Sequence, residues 1–158
     1  MNNIMYTLMA LAGGVGLSFQ AAINSRLSAG LGTQPLVASF ISFGIGALCL
    51  GLVGLAMADW QSVGAGIGQQ PLWRWLGGFL GAGFVFTSVF LAPRLGVTNV
   101  MFLFIIGQLT SGMFIDSLGL FQMPVRAAQW WKIAGLSVML CGLCLFMFGE
   151  RLVQLVRH

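Results

Sequence analysis

The chain has 158 residues, 58% of them apolar and 6% charged, with seven basic against three acidic side chains and a net charge of +4. Soluble domains carry about 25% charged residues, so a water-facing globular domain is excluded. The basic residues stand singly at the ends of apolar runs. That excludes the basic patch or stripe that nucleic-acid binding requires.

A membrane-spanning helix needs about 20 mainly apolar residues, and the sequence offers five such runs. The first, Ile4 to Ile23, follows Asn2 and Asn3 rather than a positive leader. It is too long for a signal-peptide core and reads as a retained span over residues 4–24. Gly13, Gly16, Gln20 and Asn24 recur along it at spacings of three and four, which places them on one stripe. Glycines with two amides suit either close helix packing or the wall of a polar cavity.

Gly30 and Gly32 mark the first link, and Pro35 opens a second span over 35–57. Ser39 and Ser42 in it can bond to their own helix backbone. The next link runs from Ala58 to Pro71 and contains Gly64, Gly66 and Gly68. Its Gly-x-Gly-x-Gly pattern has no Lys and no preceding strand, so it reads as a flexible surface loop rather than a phosphate cradle. The third span covers 72–91 and ends at Pro93-Arg94, with Gly77 and Gly81 as a close-approach pair.

The fourth span covers 97–118, with Arg94 and Asn99 bracketing its start. Gln108, Gly112 and Asp116 are four apart and share a face. Asp116 lies about 12 Å along the axis from Gln108. An ionisable residue inside a membrane run is a functional candidate by default. Asp116 can carry a proton or a counter-charge, cap the turn at Ser117-Leu118-Gly119, or pair with Arg126 or Arg94. The fifth span covers 129–149, and Glu150 beside Arg151 reads as an interfacial pair. A single transmembrane domain over 1–158, all-α with five spans, is the expected architecture.

Cys141-x-x-Cys144 has redox or metal spacing, but no second Cys or His pair accompanies it. Together with Cys49 these read as small, packed, reduced thiols. No metal and no cofactor is expected. No nucleophile, base and oxyanion arrangement is legible, and the single His is the terminal His158, so an enzyme is not expected.

Orientation follows the Lys/Arg difference between the two faces. Arg74, Arg126 and Lys132 fall on the face of the N-terminus; Arg26, Arg94, Arg151 and Arg157 fall on the other. This near-balance permits either one fixed orientation or dual insertion with an antiparallel homodimer. Trp60, Trp73, Trp75, Trp130, Trp131 and Tyr6 all belong to the N-terminal face, which agrees with five crossings and an interfacial belt.

Gln20-Ala21-Ala22-Ile23-Asn24-Ser25-Arg26-Leu27 resembles the YdcZ-type half-size branch of the drug/metabolite transporter superfamily. So do Gly77-Gly78-x-x-Gly81, Pro93-x-Leu95-Gly96, Gly107-Gln108 and Asp116-x-x-Gly119. The resemblance covers nearly the whole chain. It implies an inner-membrane bacterial protein, similar to half of a ten-helix transporter, that works as a dimer to move a small metabolite or drug. Small multidrug exporters of the superfamily use a glutamate in the first helix, where this chain carries only neutral Gln20 and Asn24. On this reading Gln20, Asn24 and Gln108 bind polar groups of the substrate and Asp116 carries the proton or counter-charge. Gly13, Gly16, Gly77, Gly81 and Gly112 serve helix packing. The partners are the bilayer, a small-molecule substrate and an antiparallel copy or inverted paralogue. The alternative is a non-transporting assembly or regulatory subunit that binds another membrane protein.

Overall fold

The computed structural model describes residues 2–156. It is all helical, and no strand occurs among the described residues. Six α-helices follow in order: α1 (Asn2–Gly30), α2 (Pro35–Met57), α3 (Trp60–Ile67), α4 (Leu76–Leu95), α5 (Val97–Leu118) and α6 (Trp130–Val156). Short 3₁₀ turns at Leu72–Trp75 and Leu120–Gln122 precede α4 and follow α5. Five segments are long and apolar enough to cross a membrane: Asn3–Gly30, Pro35–Met57, Leu72–Leu95, Val97–Leu118 and Trp130–Gly149. The protein is therefore a five-span integral membrane protein. Its large exposed hydrophobics, such as Phe40 and Phe79, are what a lipid solvent requires.

The chain divides into two compact units, one ending at Val97 and the other beginning at Thr98. In the first, α1, α2 and α4 pack pairwise. The core is Ala38, Val85 and Val89, with Leu27 and Phe84 against it. Small residues let the backbones approach: Ala21 and Ser28 on α1, Ala38 and Ser39 on α2, Ser88 and Ala92 on α4 are all buried. Ser39 and Ser88 cost little because their hydroxyls are satisfied locally. Ser39 Oγ donates to the Pro35 carbonyl at 2.8 Å and Ser88 Oγ to the Val85 carbonyl at 2.8 Å.

The expected glycine contacts are differently placed. A Cβ added at Gly13, Gly16, Gly77 or Gly112 would meet no atom within 4 Å, while one at Gly81 would meet the Phe43 ring at 3.6 Å. Among the described residues, close approach within this unit is made by Ala and Ser, with Gly81 the one member of the glycine set in contact. The three cysteines are free, as expected, but exposed on the chain rather than packed.

Three helix ends and one link differ from expectation; α6, expected to end at Gly149, continues to Val156. α1 runs on to Gly30 because an exposed Arg26 does not stop a helix. The turn comes where the Ser28 carbonyl accepts from the amides of Leu31, Thr33 and Gln34, at 3.2, 2.9 and 3.2 Å. The third span passes through Pro93 to Leu95. Pro93 removes one ladder donor near the helix end, where the loss is small. Arg94 donates to the Phe90 carbonyl and lies 3.7 Å from the Phe90 ring centroid. Gly96, at φ 82°, ψ 145°, then ends the helix.

The link that differs is the second, read as a loop, which α3 occupies. Asp59 caps it, accepting from the Gln61 amide at 3.1 Å and the Ser62 amide at 3.4 Å. The Ser62 hydroxyl also donates to Asp59, and that bond is the main cause holding the Asp59 carboxyl below its ordinary value of 3.8. Trp60, Val63 and Ile67 recur at helical spacing on this exposed helix, a pattern suited to lying in the membrane interface.

Candidate functional site: a groove between α5 and α6

In the second unit, α5 and α6 are joined at one end by an anchored loop. Gly119 reverses the chain at φ 61°, where a Cβ would stand 2.7 Å from Val125 Cγ2 and 3.3 Å from the Met123 carbonyl oxygen. Both the dihedral and the close approach require glycine. The Arg126 amide donates to the Asp116 carbonyl oxygen at 2.8 Å, satisfying one of the orphan acceptors at the end of α5. The Gln129 carbonyl then accepts from the Lys132 amide at 2.9 Å as α6 begins. Further along, Phe102 of α5 stacks on Phe146 of α6, with centroids 5.1 Å apart.

Between these two ties the helices leave an open groove of about 620 Å³. Gln108, Gly112 and Asp116 line it from α5; Lys132, Gly135 and Met139 line it from α6. Leu109, Met113 and Leu136 complete an apolar wall. Asp116 and Lys132 stand at the loop end. Gln108 and Met139 lie about 10–12 Å deeper, at 1.5 Å per residue. Among the described residues, neither the Asp116 carboxylate nor the Lys132 ammonium makes an ion pair or hydrogen bond. The groove thus has a mouth with one charge of each sign and an apolar interior with one amide. A second groove of about 240 Å³ on the other flank, lined by Phe114, Ile133 and Leu136, is almost wholly apolar.

The predicted site residues fall into two groups. Gln108 and Asp116 share the groove, with Gly112 between them. Gln20 and Asn24 lie on α1 in the first unit, where Gln20 is half-buried and Asn24 buried. Asn24 Nδ2 donates to Ser42 Oγ on α2 at 2.9 Å, so at least one of its hydrogen bonds is interhelical. The contact of Asp116 with Arg126 is between backbones rather than through its carboxylate. The side chains of Glu150 and Arg151, expected as a pair, lie outside the described residues, as do Arg157 and His158. A groove of about 260 Å³ in the first unit is lined by Phe40, Phe43 and Phe86. Its one polar side chain, Ser39, is bonded to its own helix.

Lys132 is the groove residue that sequence reasoning assigned elsewhere, as a charge at a helix end. A signal was present: Lys132, Gly135, Leu136 and Met139 recur at three and four. A short link to the fourth span makes that face the natural neighbour of Gln108, Gly112 and Asp116.

The family model described as "Putative inner membrane exporter, YdcZ" matches residues 5–145. The chain belongs to this family. The match takes in Gln20, Asn24 and every residue of the α5–α6 groove. YdcZ-family membership and the five apolar spans make it a multi-pass inner-membrane protein, of an exporter family rather than an enzyme family. No curated protein and no solved structure matches the chain.

Proposed function

We propose that this chain is an exporter subunit that moves a small metabolite or drug-like molecule by alternating access, working as an antiparallel pair. The observation that carries the reading is Asp116: a carboxylate within a membrane span, lining a groove, with no described partner for its charge. Such a group is expensive in lipid unless it has a task. A proton, or the counter-charge of a substrate, supplies one.

Gln108 offers both a donor and an acceptor deeper in the same groove. Gln20 and Asn24 offer further polar groups on α1 of the first unit. With its amide nitrogen turned to Ser42, Asn24 has its carbonyl oxygen to offer. The near-even basic count on the two faces supports dual insertion, and an odd number of spans makes an inverted copy the natural partner. Inverted repeats are a recurrent transporter plan. Glycines with open space beside them, Gly13, Gly16, Gly77 and Gly112, are suited to contacts with that copy.

Two measurements test this. A cysteine placed after His158, in a chain freed of its three native cysteines, is labelled in intact cells with a membrane-impermeant reagent. Labelling of about half the population supports dual insertion; all-or-none labelling removes the antiparallel homodimer and leaves an inverted paralogue or a parallel assembly. Reconstituted vesicles then report proton-driven export. Transport that survives Asp116→Asn and Asp116→Ala unchanged removes the coupling role.

A further inference from the structure

We infer that the mouth of the α5–α6 groove binds an amphoteric molecule: one cationic group against Asp116, one anionic group against Lys132, and an apolar body lying along Met113, Leu136 and Met139. This deepens the exporter reading by naming the substrate class, and it rests on that reading.

The argument begins with the cost of the two charges. A carboxylate and an ammonium line the same groove, yet no ion pair joins them and no other described group neutralises either. Were the pair structural, the two side chains would close on each other, since a long Lys side chain reaches readily and the lipid setting strengthens the attraction. Their separation leaves each with an unmet partner of opposite sign. A cationic ligand satisfies Asp116 alone and brings its charge near Lys132. An anionic ligand has the reverse fault. Only a molecule carrying both charges satisfies both ends.

The interior selects further. Leu109, Met113, Leu136 and Met139 favour an apolar body, and unbranched methionines adapt to its shape. Gln108 gives one polar contact about 12 Å from Asp116. Gly112 and Gly135 keep the floor open, since a Cβ at either would meet nothing within 4 Å. A volume of about 620 Å³ accommodates a small amphiphile. The same chemistry occurs in a free zwitterionic solute and in a zwitterionic lipid headgroup.

The test is equilibrium binding to the purified chain in a nonionic detergent, which removes any effect of charge changes on membrane orientation. Three probes share a phenyl group: L-phenylalanine carries both charges, 2-phenylethylamine only the positive one, 3-phenylpropanoate only the negative one. L-phenylalanine should bind at least about tenfold more tightly than either single-charge probe, as expected for one charged hydrogen bond gained. Lys132→Gln should abolish the preference over 2-phenylethylamine. Asp116→Asn should abolish the preference over 3-phenylpropanoate. The exchange variant Asp116→Lys with Lys132→Asp should recover the zwitterion preference, which a merely structural pair would not. Arg26→Gln, which removes a positive charge outside the groove, should change nothing.

Repeating the measurement in phosphatidylcholine and phosphatidylglycerol nanodiscs separates the two sources. Competition confined to phosphatidylcholine assigns the site to a lipid headgroup; equal affinity in both assigns it to a free solute. Failure of all three probes to bind at up to about 10 mM, equal affinity for all three, or an unchanged preference in Lys132→Gln overturns the inference. Failure of the exporter reading looks different: charge-selective binding persists and vesicles show no flux.

Discussion

Asn24 of α1 and the Gly112–Asp116 pair of α5 each belong to a polar stripe, and each faces another helix. In the first unit that face is closed. Asn24 is bonded to Ser42, Ser39 donates to the Pro35 carbonyl and Ser88 to the Val85 carbonyl, and Ala21 and Ala38 are buried beside them. In the second unit the face is open. Asp116 and Gln108 line a groove, opposite a lysine that does not reach across. A polar stripe in a membrane helix therefore has two physical fates. Where the neighbouring helix offers a complementary small polar group, the stripe becomes part of the packing. Where the neighbour is held off, here by an anchored loop at one end and a Phe102–Phe146 stack further along, the stripe stays available to a ligand.

The sharpest break of this comparison is functional. Asp116→Asn should lower export from reconstituted vesicles about 10–100-fold, the range for one lost charged interaction, while leaving the thermal unfolding temperature in detergent unchanged. Asn24→Ala should do the opposite, with a lower unfolding temperature and a smaller effect on rate. Equal melting shifts in the two variants would erase the distinction between a closed and an open stripe.

The loop that holds the groove open comes next. Gly119→Ala should destabilise the chain by about 1–3 kcal/mol, because a Cβ at φ 61° is strained and would also strike Val125. Gly112→Ala, on the groove floor, should cost less than about 0.5 kcal/mol or stabilise the helix. Denaturant-dependent unfolding in micelles measures both. If Gly112→Ala instead reduces the dimer fraction in cross-linking, that glycine packs against a second copy.

Much of this was legible in the residues before any coordinates. Five apolar runs gave five spans, and the four-residue rhythm of Gln108, Gly112 and Asp116 put them on a shared face. What could not be read has physical causes. Glycines mark where helices can approach, not where they do: Gly13, Gly16, Gly77 and Gly112 have open space beside them, and close approach within the first unit is made by Ala21, Ala38 and Ser88. Lys132 at a helix start looks like any headgroup anchor until α5 is placed beside it. In the link after α2, three glycines masked a helix of eight residues, Trp60–Ile67, whose start depends on one capping side chain.

A smaller effect tests the closed unit. Removing the Asn24–Ser42 bond should cost about 0.6 kcal/mol, the average for interhelical hydrogen bonds in membranes, and at most about 1.7 kcal/mol. Asn24→Ala and Ser42→Ala should therefore be non-additive, the double variant losing little more than either single one. Full additivity would mean that the two side chains act separately, leaving the whole Asn24 amide, and not its carbonyl oxygen alone, to a ligand.

The smallest effect lies outside both units' helix contacts, at Asp59. Its carboxyl titrates below the ordinary 3.8 because the ionised form accepts bonds from the Ser62 hydroxyl and from the Ser62 and Gln61 amides. A group whose pKa is depressed by folding favours the folded form above its unfolded value. The cap therefore contributes fully above pH 3.8, and its contribution disappears as the pH falls through the lowered value. Amide exchange at Gln61 and Ser62, corrected for intrinsic pH dependence, should accelerate over that window in the native chain. It should be fast and flat with pH in Asp59→Ala. Asp59→Asn should keep partial protection without the titration, since the amide oxygen still accepts. Exchange that follows pH equally in Asp59→Asn would show that α3 owes its start to burial of Trp60, Val63 and Ile67 in the headgroup region rather than to its cap.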